Sequence, residues 1–210
     1  MRIVDHGFVI ETPLDRIGMP MLKAIEIAGR TCYKSETEIT DDSALAFVKK
    51  IIKNGHHSVL EHESISVRFI CDRGVAHEIV RHRIASYSQE STRFCNYGTG
   101  RFGNQVTYVL PTFELDEDDL NLLAAIEKHY IKCIENGRTA QEARYFLPNG
   151  LKTEIVMTCN LREWRHFFTL RAASKAAHPQ MRASAIPLLA EFKVLIPIVF
   201  DDITLDEDRS

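Results

Sequence analysis

Two hydrophobic periods coexist in this chain, and together they admit neither an all-helical nor an all-strand fold. Over residues 63–70 polar and apolar side chains alternate as Ser64, Ile65, Ser66, Val67, Arg68, Phe69, the period of two expected of a half-buried strand. Residues 20–30, 41–54 and 115–136 instead carry the longer period of amphipathic helices. Thr40, Asp41 and Asp42 offer N-caps to the second of these, and Gly55 and Gly137 supply the left-handed turns that close the second and third. Further strands are predicted at 2–11, 106–110 and 152–159. Further helices are predicted from Asp72 toward Arg83, at 139–146 ended by Pro148, at 161–173, and at 179–195 with a kink at Pro187. Residues 86–104, rich in Ser, Thr, Gly and Asn, read as a long irregular loop, a feature that in compact domains usually carries function. No repeat or linker interrupts the pattern. The expectation is one α+β domain over 1–210, a mixed or antiparallel sheet flanked by long helices, ending in a flexible acidic tail at 201–210.

Composition narrows the function. Of 210 residues, 26 are Lys or Arg and 29 Asp or Glu, a net charge of −3, so no domain-wide positive field exists to hold a nucleic-acid duplex. The five cysteines, Cys32, Cys71, Cys95, Cys133 and Cys159, form no CxxC pair and are odd in number, which fits neither a disulfide framework nor a cysteine-rich zinc site. Asp5 and His6 interrupt the apolar stretch that a secretory signal needs, and the longest apolar run, residues 194–200, is too short to span a bilayer. These features predict a cytoplasmic protein with reduced thiols and no membrane contact.

Within the acidic total lie two arginine islands. Residues 68–101 hold six arginines against three acids, and residues 162–182 hold four arginines and one lysine against one acid. The guanidinium fork suits phosphates and planar anions, so the islands suggest a small anionic ligand; a solvated charged face is the plain alternative. Arg81, His82 and Arg83 are consecutive and on a helix would splay, but at a helix end they can fan around a ligand, or merely complement the carbonyl end of the helix dipole. Ser86, Ser88, Gln89, Ser91, Thr92 and Arg93 follow as a set of donors. On a helix over 161–173, Arg171 shares the stripe of Trp164, Phe167 and Phe168, while Arg162, Arg165, His166 and Thr169 face away. A guanidinium in an aromatic stripe must snorkel, pair with an acid or meet a ligand. The segment His56, His57, Glu61, His62 has metal-ligand side chains but not the HExxH order, so no metal is expected. There is no GxSxG elbow, no GxGxxG and no Walker loop, which leaves any nucleotide to be held by side chains.

The segment RHRIASYSQES, from Arg81 to Ser91, resembles the RHR, seven residues, Ser signature of the flavin-dependent thymidylate synthases. GHHSVLEH from Gly55, EARYFLP from Glu142 and NLREWRHFFTLR from Asn160 resemble three more segments of that family, in its order, across about two thirds of the chain. The resemblance implies reductive methylation of dUMP to dTMP, with 5,10-methylenetetrahydrofolate as one-carbon donor and FAD passing hydride from NADPH. It implies a homotetramer with sites where subunits meet. By the same resemblance Arg81, His82 and Arg83 contact FAD together with Asn160, Arg162, His166 and a neighbouring subunit's Ser58, while His56 and Glu61 line the flavin and folate pocket. Gln89, Glu90, Ser91, Thr92 and Arg93 form the nucleotide loop, Gln89 also bordering FAD, with Ser91 and Arg93 on the dUMP phosphate. Arg144, Glu78 and Arg81 complete the dUMP pocket, and Arg171 lies against the uracil as the catalytic residue. Two positions depart from the family pattern: Gln89 where some members have Glu, and Glu78 where Gln is common, a carboxylate expected to pair with Arg81 or His82. The rival readings are a nucleotide- or RNA-phosphate-binding protein using the arginine islands, and a metal-dependent hydrolase built on His56, His57, Glu61 and His62.

Overall fold

A computed structural model describes residues 1–206. The architecture is α+β, as the two periods require. The chain forms β1 (Arg2–Val4), β2 (Gly7–Ile10), α1 (Met19–Thr31), α2 (Ser43–Lys53), β3 (Ser64–Asp72), α3 (Arg73–Ile79), β4 (Ser86–Gln89), β5 (Thr107–Val109), α4 (Glu117–Glu135), α5 (Ala140–Ala143), β6 (Lys152–Asn160), α6 (Leu161–Phe168) and α7 (Pro179–Leu195). Strands β2, β3, β6 and β4 make a four-stranded sheet in that order, and β1 pairs with β5 in parallel, Ile3 opposite Tyr108.

Residues divide into two compact units, and the chain passes between them at 7/8, 68/69, 81/82, 87/88 and 155/156. In the first unit Tyr97, Val106, Tyr108, Tyr130, Cys133, Ala143 and Leu151 form the core. The long helix α4 supplies two of these and starts at a reciprocal cap, the Asp116 carboxylate accepting from the Asp119 N–H and the Asp119 carboxylate from the Asp116 N–H. In the second unit the core is aromatic: Trp164 and Phe168 stack, and both lie against Phe192 of α7. The indole N–H of Trp164 donates to the Ile65 carbonyl at 3.1 Å, which ties α6 to β3 and satisfies the one polar atom of that side chain. Helix α1 begins after Gly18 at φ +84°, where an added Cβ would lie 2.8 Å from the Leu195 carbonyl oxygen.

Five expectations are corrected. The strand predicted over 2–11 is two strands in two different sheets, because Asp5 and His6 break it before β2 turns to β3. The helix from Asp72, capped by its own carboxylate accepting from the Val75 N–H, stops at Ile79, so residues 81–83 lie beyond it. The predicted loop 86–104 begins with β4, an edge strand whose pairing with β6 is remote in sequence. Helix 161–173 is α-helical only to Phe168, and Thr169–Ala173 form a π-helical turn. The tail is not loose over 201–206: Arg165 donates through both terminal nitrogens to the Asp202 carboxylate at 2.6 Å, and Ile203 is buried. Residues 207–210 lie outside the described residues. Among the described residues no helix is long and apolar enough to cross a membrane.

Candidate active site

The second unit holds a buried cluster centred on His82, which is 3% exposed. Of the three consecutive residues at 81–83 only the imidazole turns inward, while Arg81 and Arg83 are exposed. Tyr87 holds the backbone there, its hydroxyl donating to the His82 carbonyl at 2.5 Å. The Nδ1 atom of His82 lies 3.1 Å from Oε1 of Glu163, and its Nε2 lies 3.1 Å from Nε of Arg171. His166 and Phe167 approach the ring edge-on, with centroids 5.5 and 5.0 Å away.

Helix α6 and the π turn build this cluster. The side-chain oxygen of Asn160 accepts from the Glu163 N–H at 2.9 Å, fixing the helix start, and Glu163 is thereby presented from the first turn. Two turns on, Arg171 is delivered from the π-helical stretch, half-buried, with its Nε on His82. Burial, then the Arg171 cation and His166, push the His82 pKa down to about 4. Burial also raises the Glu163 carboxyl above the usual range, partly opposed by His166. Because a guanidinium can only donate, Nε2 must accept, and the proton of a neutral ring must sit on Nδ1, donating to Glu163.

Other predicted residues of this unit face solvent. Arg162 pairs with Glu61 at 2.6 Å, with side chains 55% and 46% exposed. Ser58, His56 and His166 are exposed, and Nδ1 of His56 lies 3.3 Å from the Tyr33 hydroxyl. The proposed metal residues 56–62 are thus drawn to different partners. Among the described residues the grouping with ion-binding donors close together is instead His82, Glu163 and His166, with donor atoms within 4.8 Å. A cation ligated through Nδ1 while Nε2 accepts from Arg171 would require an imidazolate, so the arrangement suits a hydrogen-bonded relay better than a metal.

In the first unit the loop after β4 folds back on itself: the Ser91 carbonyl accepts from the N–H groups of Phe94 and Cys95, and the Ser91 hydroxyl from that of Arg93. Nη1 of Arg144 donates to Thr92 Oγ1 at 3.3 Å, and Nε of Arg93 to Gln141 Oε1 at 3.0 Å, so α5 and the turn after it brace the loop. Gln89 donates to the Thr153 hydroxyl at 3.3 Å. Glu90 accepts from the Tyr97 hydroxyl at 2.8 Å and from Lys152 at 3.1 Å, while Lys152 also reaches Glu154. Burial acts to lower the Lys152 pKa, but Glu154 and Glu90 hold it above the normal lysine value. Nε of Arg81 donates to the His77 carbonyl, and Glu78 is half-buried nearby in sequence; the carboxylate on His82 is Glu163, not Glu78.

Sequence reasoning missed Glu163, Lys152 and Tyr87. Glu163 stands three residues after the capping Asn160, where an acid reads as part of a capping box. Its carboxylate goes to His82 instead.

Residues 19–198 match the family described as thymidylate synthase complementing protein. The chain belongs to that family. Curated members named flavin-dependent thymidylate synthase include one from Geobacter sulfurreducens, 34% identical over 187 positions, covering 85% of this chain and 80% of that one. Others from Mycobacterium bovis and Mycobacterium tuberculosis are 35% identical over 211 aligned positions, covering 90% of this chain and 81% of theirs. Among solved structures, a UMP/dUMP methylase from Streptomyces cacaoi bound with 5-Br dUMP superposes with a TM-score of 0.74 at 19% identity, over 96% of each chain, and so shares the fold. Within the family frame, His82, Glu163 and Arg171 all lie in segments that resemble its motifs.

Proposed function

We propose that this protein is a flavin-dependent thymidylate synthase that methylates dUMP, folded as one family domain over 1–210. The observation that carries the reading is the Arg171 guanidinium held beside a buried, neutral His82. A fixed cation of this kind, set against a uracil, favours loss of the N3 proton and makes C5 electron-rich enough to take a one-carbon unit. No cysteine nucleophile is needed for that route, and both Cys71 and Cys159 are buried with thiol pKa values raised by burial.

The donor set fits FAD. Its diphosphate calls for exposed cations and hydroxyls, which Arg81, Arg83, Arg162 and Ser58 offer, with the Asn160 amide and the His56 and His166 rings beside them in sequence. The Arg162–Glu61 pair is solvent-facing and worth at most about 1 kcal/mol, so a diphosphate can displace Glu61 at little cost. When bound, reduced flavin supplies the hydride, with NADPH as its source and methylenetetrahydrofolate as one-carbon donor. For dUMP we assign Ser91 and Arg93 to the phosphate, with Gln89, Glu90, Thr92 and Arg144 shaping the loop and Glu78 and Arg81 bordering the base. The half-buried Ser91 and exposed Arg93 of a self-bracing loop support that assignment, since a preformed anion cradle loses little freedom on binding. A homotetramer completes the proposal. The exposed rings of Tyr145, Phe94 and Phe113 support it, being apolar surface that an interface would cover.

The test is the visible spectrum of the purified protein. A band near ~450 nm, as oxidised isoalloxazine gives, that bleaches with NADPH, followed by dTMP formation from dUMP and methylenetetrahydrofolate, is expected. A colourless protein that takes up no added FAD overturns the reading.

A further inference from the structure

Glu163 has no role in the assignments above, yet it is 7% exposed and its carboxylate is aimed at His82, whose other ring nitrogen meets Arg171. Burying a carboxylate in the first turn of α6 is costly unless the carboxylate has a task. The hydrogen-bond directions define the task. Arg171 can only donate at Nε, so His82 must present a lone pair at Nε2. A neutral imidazole left to itself in water carries its proton mainly on Nε2, which would set two donors face to face. An acceptor at Nδ1 reverses that preference, and Glu163 Oε1 is that acceptor at 3.1 Å.

We propose that Glu163 is a positioning residue for methyl transfer: by drawing the His82 proton onto Nδ1 it turns Nε2 into the acceptor that aims the Arg171 guanidinium. The logic is that of an orienting carboxylate behind a histidine, displaced by one step, since here the histidine orients a cation rather than moving a proton. The inference rests on the reading of Arg171 as the residue against the uracil.

Two variants and one spectroscopic measurement test it. Glu163→Gln keeps an oxygen that accepts from Nδ1, whereas Glu163→Ala removes it. With flavin-loaded protein, Glu163→Ala is expected to lower kcat for dTMP formation by about 10- to 100-fold, with KM for dUMP changing far less, as befits a misaimed group. Glu163→Gln is expected to recover most of that loss. Equal loss in both variants, or a loss confined to KM, overturns the proposal. Nitrogen-15 NMR of histidine-labelled protein reads the tautomer directly and needs no turnover. Wild type should show His82 protonated on Nδ1 and bare on Nε2, and Glu163→Gln should match it. In Glu163→Ala the proton should move to Nε2; an unchanged Nδ1–H in that variant overturns the proposal even if kcat falls. A wild type that makes no dTMP and binds no flavin would instead sink the reading of function, and the tautomer result would still decide whether Glu163 sets the proton.

Discussion

His82 stands at the centre of the buried cluster, and its environment gives it a measurable signature. Its pKa falls from 6.5 in the unfolded chain to about 4 in the folded one. Above pH 6.5 both states are neutral there and the site adds no pH dependence; as pH falls from 6.5 through 4 the unfolded chain binds the proton first, so stability is lost on acidification. Between pH 7 and pH 5 that loss is about 2 kcal/mol from this side chain alone. Urea unfolding of wild type and His82→Gln across that range checks it: the variant should lose correspondingly less. Arg171→Ala should abolish dTMP formation while FAD uptake persists, since the guanidinium acts on the pyrimidine; near wild-type methylation would remove it from the mechanism. Ser91→Ala should raise the Kd for dUMP several-fold and leave that for FAD nearly unchanged, measured by titration of each ligand.

At the scale of elements, what could be read in advance depended on whether the determinants were local. Helix α4 and strand β3 were legible because their faces repeat and their caps are near neighbours: Asp116 with Asp119 at one end, Gly137 at φ +85° at the other. Strand β4 was not, because Ser86, Tyr87, Ser88 and Gln89 carry no apolar face and owe their extension to β6, more than sixty residues away. Candidate residues of the four motif segments could be named from the resemblance, whereas Glu163 was hidden behind its service as a helix-start acid. The turn Thr169–Ala173 was invisible for another reason: a π-helical turn is an α-helix with one residue too many, and nothing in TLRAA marks the surplus. Asn160→Ala should cost about 1 kcal/mol in denaturant unfolding through loss of the α6 cap, and Asn160→Asp should restore most of it.

For the molecule as a whole, the proposed assembly predicts a species of four 24.0 kDa chains in sedimentation equilibrium. A monomer that nonetheless makes dTMP would remove the need for shared sites. The α+β class was legible from the two periods, but the division into interleaved units was not, since no linker marks it and each boundary falls inside or beside a regular element. That interleaving has a consequence for descent. Strands β3 and β6 each begin in one unit and finish in the other, so no contiguous stretch of gene encodes either unit alone. A single crossover therefore cannot trade one unit whole for another enzyme's. Change in such a chain comes more readily by point substitution than by exchange of halves.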